Sequence, residues 1–160
     1  MAKGTLFFFC GKMGAGKSTK AREIATEQNA VLLSEDEWLA ALYPNQIATL
    51  DDYVEYSRRL KPQIKRLAQS VLSTGTDVVM DFPANTVSQR AWFQNLFSEI
   101  DAPHQLIYLD VGDDVCLQQI EQRRIEQPER VATDTKEMFE QVTQHFVAPT
   151  AEEGFNISTV

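Results

Sequence analysis

Thiols and imidazoles are scarce in this chain: its 160 residues include two cysteines, Cys10 and Cys116, and two histidines, His104 and His145. With no Cys-x-x-Cys pair, a disulfide framework or a zinc site is disfavoured, and a reducing, cytoplasmic setting is expected. The histidines lack partners at metal-ligand spacing and read as packed or solvated side chains. Basic residues are also few, 15 Lys and Arg against 23 Asp and Glu, for a net charge of -8. That balance argues against nucleic acid as a partner, because backbone binding draws its affinity from cations that replace counterions. Long hydrophobic runs are missing as well. The opening "MAKGTLFFFCG" is too short in its apolar part to span a membrane and meets a glycine loop with no cleavage pattern, so it is expected to be a strand of the mature protein.

What remains is ordinary for a folded chain: 43% hydrophobic and 24% charged residues, without repeats or low-complexity tracts. The length suits one compact domain over 1–160. Five short apolar runs, 5–10, 30–34, 77–82, 105–111 and 155–160, read as strands of a parallel sheet buried on both faces. Helical patterns separate them. The longest, about 50–74, repeats apolar residues near the helical period, and Pro62 either kinks it or opens a second helix. "TVSQRAWFQNLFSEI" (86–100) begins with a T-x-x-Q capping box, and 113–127 and 133–146 are two further helices. Such alternation implies right-handed crossovers and an open doubly wound sheet whose ligands bind beyond the carboxyl ends of the strands.

The first run leads into Gly11-Lys12-Met13-Gly14-Ala15-Gly16-Lys17-Ser18-Thr19, which fits G-x-x-x-x-G-K-[ST] between a strand and a helix. Glycines let successive backbone N–H groups turn toward an anion, and the following helix adds the positive end of its dipole. Lys17 then reaches the β- and γ-phosphates of a nucleoside triphosphate, and Ser18 can ligate Mg²⁺. No guanine-reading Asn-Lys-x-Asp stretch is present.

Together with "LLSEDEWL" and "VVMDFPANTVSQR", this loop resembles the small P-loop kinase-like ATPases, the group that includes the kinase domains of polynucleotide kinases, chloramphenicol phosphotransferases and zeta toxins. The resemblance runs over nearly the whole chain. It implies a three-layer α/β P-loop NTPase fold, a five-stranded parallel sheet with helices on both faces, and ATP with Mg²⁺ as cofactors.

"LLSEDEW" brings Ser34, Glu35, Asp36 and Glu37 to a strand end, where a phosphotransferase needs a carboxylate to orient and deprotonate an acceptor hydroxyl. Asp36 is the candidate, as the resemblance implies, with Glu35 the second choice. Ser34 and Glu37 also form an S-x-x-E capping box, which accounts for Glu37 without function. The segment "EWLAAL" lacks the arginine that polynucleotide kinases place after this aspartate. Asp81 ends the third strand, where the resembling enzymes hold Mg²⁺ or face the substrate; Asn85 and Arg90 are weaker candidates for the same cleft. Trp38, Tyr43, Tyr53 and Tyr56 follow Asp36 and are expected to be packing residues more than a substrate platform.

"QRRIEQPERVAT" surrounds a proline break between two helices, where small kinases close a lid, here about 123–134. The resemblance makes Arg124, with Arg123 beside it, the lid arginine. The segment 147–154 is placed where related kinases pack adenine, and reads equally as a plain surface loop. The expected function is Mg²⁺-dependent transfer of the γ-phosphate of ATP to a hydroxyl of a small molecule of unknown identity. The alternatives are a slow or non-catalytic nucleotide switch acting on a protein partner and, further off, a kinase of nucleic-acid 5′ hydroxyls.

Overall fold

A computed structural model of the chain describes residues 2–131 and 133–160. Five strands, β1 (Leu6–Cys10), β2 (Val31–Ser34), β3 (Val78–Pro83), β4 (His104–Tyr108) and β5 (Ile157–Thr159), form one parallel sheet in the order β2-β3-β1-β4-β5. Six helices alternate with them: α1 (Lys17–Glu27), α2 (Glu35–Leu42), α3 (Leu50–Ser73), α4 (Val87–Ser98), α5 (Asp113–Glu126) and α6 (Lys136–Thr143). β1 is central because nearly all of it is apolar; Leu6, Phe8, Phe9 and Cys10 have no exposed surface. A strand with polar residues on one side could not sit there, since both faces are covered.

Alternation along β1 divides the core in two. Phe8 points into the layer built from Leu60, Ile64, Ala68 and Leu72 of α3 and Phe93, Leu96 and Phe97 of α4. Phe9 points the other way, onto Ala21 and Ile24 of α1, Cys116 and Ile120 of α5 and Phe139 of α6. The result is three layers. The register between β1 and β3 runs Leu6–Val78, Phe7–Val79, Phe8–Met80 and then jumps to Phe9–Pro83, so Asp81 and Phe82 bulge past β1 at the strand end. Bulges of this kind re-aim side chains beside functional sites.

Pro62 lies inside α3, which runs unbroken through it. Arg58 and Pro62 both face solvent, so water can take the carbonyl that the proline leaves without its amide partner. The Thr86 hydroxyl caps α4 by accepting from the Gln89 N–H, but Gln89 reaches past the expected cap and accepts from the Asn85 N–H. His104 is a packed residue, stacked on Phe97 with centroids 4.0 Å apart and accepting a hydrogen bond from the Asn156 N–H. Both cysteines are buried and free. No helix among the described residues is long and apolar enough to cross a membrane.

The segment before β5 is tied down by charge. Arg90 of α4 is completely buried, and its Nε donates to Glu153 at 2.8 Å while Nη1 donates to the Ala84 carbonyl at 3.0 Å. A buried guanidinium is stable only with its anion in place. Glu153→Gln keeps the size and removes the charge, so it is expected to lower stability by about 3 kcal/mol in urea or thermal unfolding; a loss under about 0.5 kcal/mol would show that Glu153 is not what compensates Arg90.

Candidate functional site

The carboxyl end of β1 turns through Gly11–Gly16 into α1. Two residues of that turn are left-handed, Gly14 at φ 83° and Gly16 at φ 99°, conformations that cost an L side chain dearly. At Gly14 space forbids one too: a Cβ would lie 2.5 Å from the Cys116 carbonyl oxygen and 2.7 Å from Ile120 Cγ1. The glycine is therefore what lets α5 pack against the loop. Within the loop the Ala15 N–H donates to Lys12 and the Gly11 N–H to Asn85 Oδ1 at 2.9 Å, which fastens the loop to the segment after β3. The N–H groups of Gly14, Gly16, Lys17 and Ser18 make no hydrogen bond to the described residues. Four donors at the start of a helix, with its dipole behind them, favour an anion.

Lys17 Nζ is folded over this loop and donates to the Gly11 carbonyl at 2.9 Å. Burial lowers its pKa, and the nearby Asp81 carboxylate opposes that shift. Ser18 Oγ donates to Asp81 Oδ2 at 2.6 Å, joining the loop to β3. Burial raises the Asp81 pKa, offset in part by the Ser18 hydroxyl and Lys17. Among the described residues no group of three or more His, Cys, Asp or Glu side chains is gathered for a metal ion. The Ser18 hydroxyl and Asp81 carboxylate nevertheless form an oxygen pair that fits Mg²⁺, an ion that takes few protein ligands and completes its shell with phosphate and water.

Across the rim, Ser34 caps α2 by accepting from the Glu37 N–H at 3.4 Å, whereas the Glu37 side chain does not complete the expected capping box. The adjacent acids part company. Glu35 is only 3% exposed and accepts from the Tyr53 hydroxyl and, at 2.6 Å, from the Ser57 hydroxyl. Burial raises its pKa, and the Tyr53 phenol is pushed well above its usual value by the same desolvation and by Glu35 itself. Asp36 points outward, its side chain 58% exposed, with Arg130 Nη2 at 3.6 Å from Oδ2.

The proposed lid comprises the end of α5, a turn over Pro128–Arg130 and the approach to α6; Ala132 lies outside the described residues. Arg123 is bidentate on Asp134, at 2.6 and 2.8 Å, and Arg130 shares the same carboxylate. Arg124 bonds Glu121 at 3.2 Å on the surface, with Nε buried and without a partner among the described residues. Of the three arginines, Arg130 is the one paired with Asp36, whereas the sequence favoured Arg124.

Other candidates sort plainly. Lys12 pairs with Asp113 at 2.7 Å, Met13 and Ala15 pack against the α1–α5 layer, and Thr19 is exposed on α1. Asn85 is at the loop, but Arg90 is buried beneath it beside Cys10, whose thiol burial pushes up to about 11. Tyr43 lies against Tyr56 with the rings tilted 34° and centroids 4.2 Å apart, and both pack on the core, as does Tyr53. Trp38 is 37% exposed. Asp134 is not evident from the sequence, where it falls in the helix expected over 133–146; α6 begins only at Lys136, and the acid's local signal is its place four residues after Arg130.

A family model described as an AAA domain matches residues 6–149. No curated protein sequence matches the chain. Solved structures similar in fold include a provisionally assigned kinase from Chloroflexus aurantiacus, 23% identical, with a TM-score of 0.73 over 100% of this chain and 86% of that one. The Mycobacterium tuberculosis APS kinase CysC, in complex with AMPPNP and APS, is 17% identical with a TM-score of 0.65, over 99% and 90% of the two chains. Chaetomium thermophilum Kti12, in complex with ADP-AlF3, is 16% identical with a TM-score of 0.64, over 97% and 88%. At these identities the likeness is one of fold, and the fold is that of P-loop NTPases.

Glu35 supplies a pH test. Its folded-state pKa is raised above the usual 4.5, so the folded chain holds the proton to higher pH than the unfolded one. Its contribution is greatest below the unfolded value and falls as pH rises through the folded value. Asp81 acts with the same sign, so the variant comparison isolates Glu35. Glu35→Gln is expected to lose part of the decline in melting temperature that the wild type shows as pH climbs above 4.5; parallel curves for the two proteins would contradict this.

Proposed function

This chain belongs to the AAA domain family, and from that premise we propose that it binds ATP with Mg²⁺ and transfers the γ-phosphate to a hydroxyl of a small molecule. The observation that carries the reading is the meeting of four unbonded loop amides, Lys17, the Ser18–Asp81 pair and Asp36 on one rim of the sheet. The nucleotide complexes of the M. tuberculosis and C. thermophilum proteins support ATP as the ligand.

In this mechanism the amides of Gly14, Gly16, Lys17 and Ser18 hold the β-phosphate region, and Lys17 leaves the Gly11 carbonyl for the β- and γ-oxygens. Ser18 and Asp81 would hold Mg²⁺, which supplies charge neutralisation on the phosphates. Asp36 accepts the proton of the acceptor hydroxyl as its oxygen bonds to the γ-phosphorus. The bond from that phosphorus to the β,γ-bridging oxygen breaks and ADP departs. Glu35 has no part as base, because its oxygens are occupied by Tyr53 and Ser57 in the core. Arg130, with Arg123 and Arg124 on the same segment, supplies positive charge near the transferring group, and the segment 123–134 is the lid.

A second reading, a nucleotide switch that reports to a protein partner, is favoured by one observation: α2 carries no arginine or lysine after Asp36 to grip an anionic acceptor. The same absence and the net charge of -8 weigh against nucleic-acid ends as acceptors.

The test is to incubate the protein with Mg²⁺ and γ-labelled ATP in a small-molecule cell extract and follow the label. Label is expected on a discrete metabolite, lost in Asp36→Asn while ATP affinity stays within about threefold. Lys17→Ala is expected to weaken ATP binding at least about tenfold. Label that stays on ATP or appears only slowly as inorganic phosphate would replace the kinase reading with the switch; unimpaired transfer by Asp36→Asn would remove Asp36 as base.

A further inference from the structure

Asp134 is 1% exposed, yet it carries two guanidinium groups. Arg123 donates from Nε to Oδ2 at 2.6 Å and from Nη2 to Oδ1 at 2.8 Å; Arg130 donates to the same two oxygens at 2.7 and 3.3 Å. The backbone is gathered in the same way, since the Asp134 N–H donates to the Arg130 carbonyl at 2.7 Å. One arginine would neutralise a buried carboxylate. The second leaves a surplus positive charge, and the structure places it against the exposed Asp36, with Arg130 Nη2 and Asp36 Oδ2 3.6 Å apart.

We propose that Asp134 is the positioning residue of the lid: it holds Arg123 and Arg130 as one double guanidinium, whose surplus charge rests on Asp36 in the free protein and passes to the γ-phosphate when ATP binds. This rests on the nucleotide-binding reading above. The exchange has a consequence for chemistry. Asp36 is held in an ion pair until a triphosphate takes the cation away, so the base is released only in the complex that can use it. ADP lacks the γ-phosphate and leaves Arg130 where it is. Asp36 is thus a competitor of the nucleotide for Arg130, and the two ligands of one cation are coupled through it.

The three residues are close in sequence but belong to different elements. Arg123 lies in the last turn of α5, Arg130 sits on the turn after Pro128, and Asp134 precedes the Thr135 cap of α6, whose hydroxyl accepts from the Met138 N–H. Only folding brings one carboxylate between the two arginines.

The experiment is calorimetric titration of the full chain with ATP and with ADP, each with Mg²⁺. The wild type is expected to prefer ATP, and Asp134→Asn to cut the ratio of the two affinities about tenfold, with part of it recovered in Asp134→Glu. A merely structural role would lower the melting temperature and leave that ratio alone. A double-mutant cycle on Asp36 and Arg130, both partly exposed, decides the matter even where Asp134→Asn does not fold. Asp36→Asn should tighten ATP binding roughly threefold in the wild-type background, and should not do so in Arg130→Gln. An unchanged ratio in a folded Asp134→Asn, or equal tightening in both backgrounds, overturns the proposal. Failure of the wild type to bind ATP at all is a different result, because it removes the nucleotide reading itself.

Discussion

The left-handed turn at Gly14 and Gly16 is the constraint on which the rest of the rim depends. It aims successive amides into one concavity, and it does so only because no side chain is present to collide with α5. The four N–H groups at this helix start have no partner among the described residues and lie on half-buried residues, so water serves them until an anion does. The loop is fixed where it leaves the sheet: β1 is the most buried strand, and Asn85 holds the first amide of the loop. What is left open is a row of donors whose geometry favours an anion.

The other rim elements are placed by the same sheet. β3 lies between β2 and β1, so the acid at its end faces Ser18 on one side and pairs in register with Ser34 on the other. The bulge beyond Met80 belongs to this geometry, because it shifts Asp81 and Phe82 out of step with β1 just where the loop begins. On the neighbouring strand the chain separates two consecutive acids by burial. Glu35 is drawn into α3 by two hydroxyls and fixes the first turn of α2, which leaves Asp36 at the surface. Arg130, from the turn after α5, then meets Asp36 at that surface, 3.6 Å away.

Much of this was legible in the sequence, and the reason is local. The parallel strands are continuous apolar runs, so their positions follow from burial on both faces, within a residue or two except at the end of the fourth, expected at 111 and reached at Tyr108. The glycine loop is legible because phosphate binding demands residue types at fixed spacing. Pro62 was not resolved by pattern, because the outcome turned on whether the freed carbonyl would face water. Glu35 and Arg90 were misjudged as cleft candidates for a related reason: their partners, Tyr53, Ser57 and Glu153, lie 18, 22 and 63 residues away. Asp134 differs, since its arginines are only 11 and 4 residues away, but they come from α5 and the turn after it. Periodicity reports which face of an element is buried, but not which buried acid finds two arginines.

The account stands on the open amides of the glycine loop, and backbone hydrogen exchange reads them directly. Exchange of the segment from Gly11 to Thr19 would be measured in the free protein, with ADP and Mg²⁺, and with ATP and Mg²⁺. The account predicts that the amides of Gly14, Gly16, Lys17 and Ser18 become protected with nucleotide while the core strands do not change. Exchange at those four amides that is the same with and without nucleotide would contradict it.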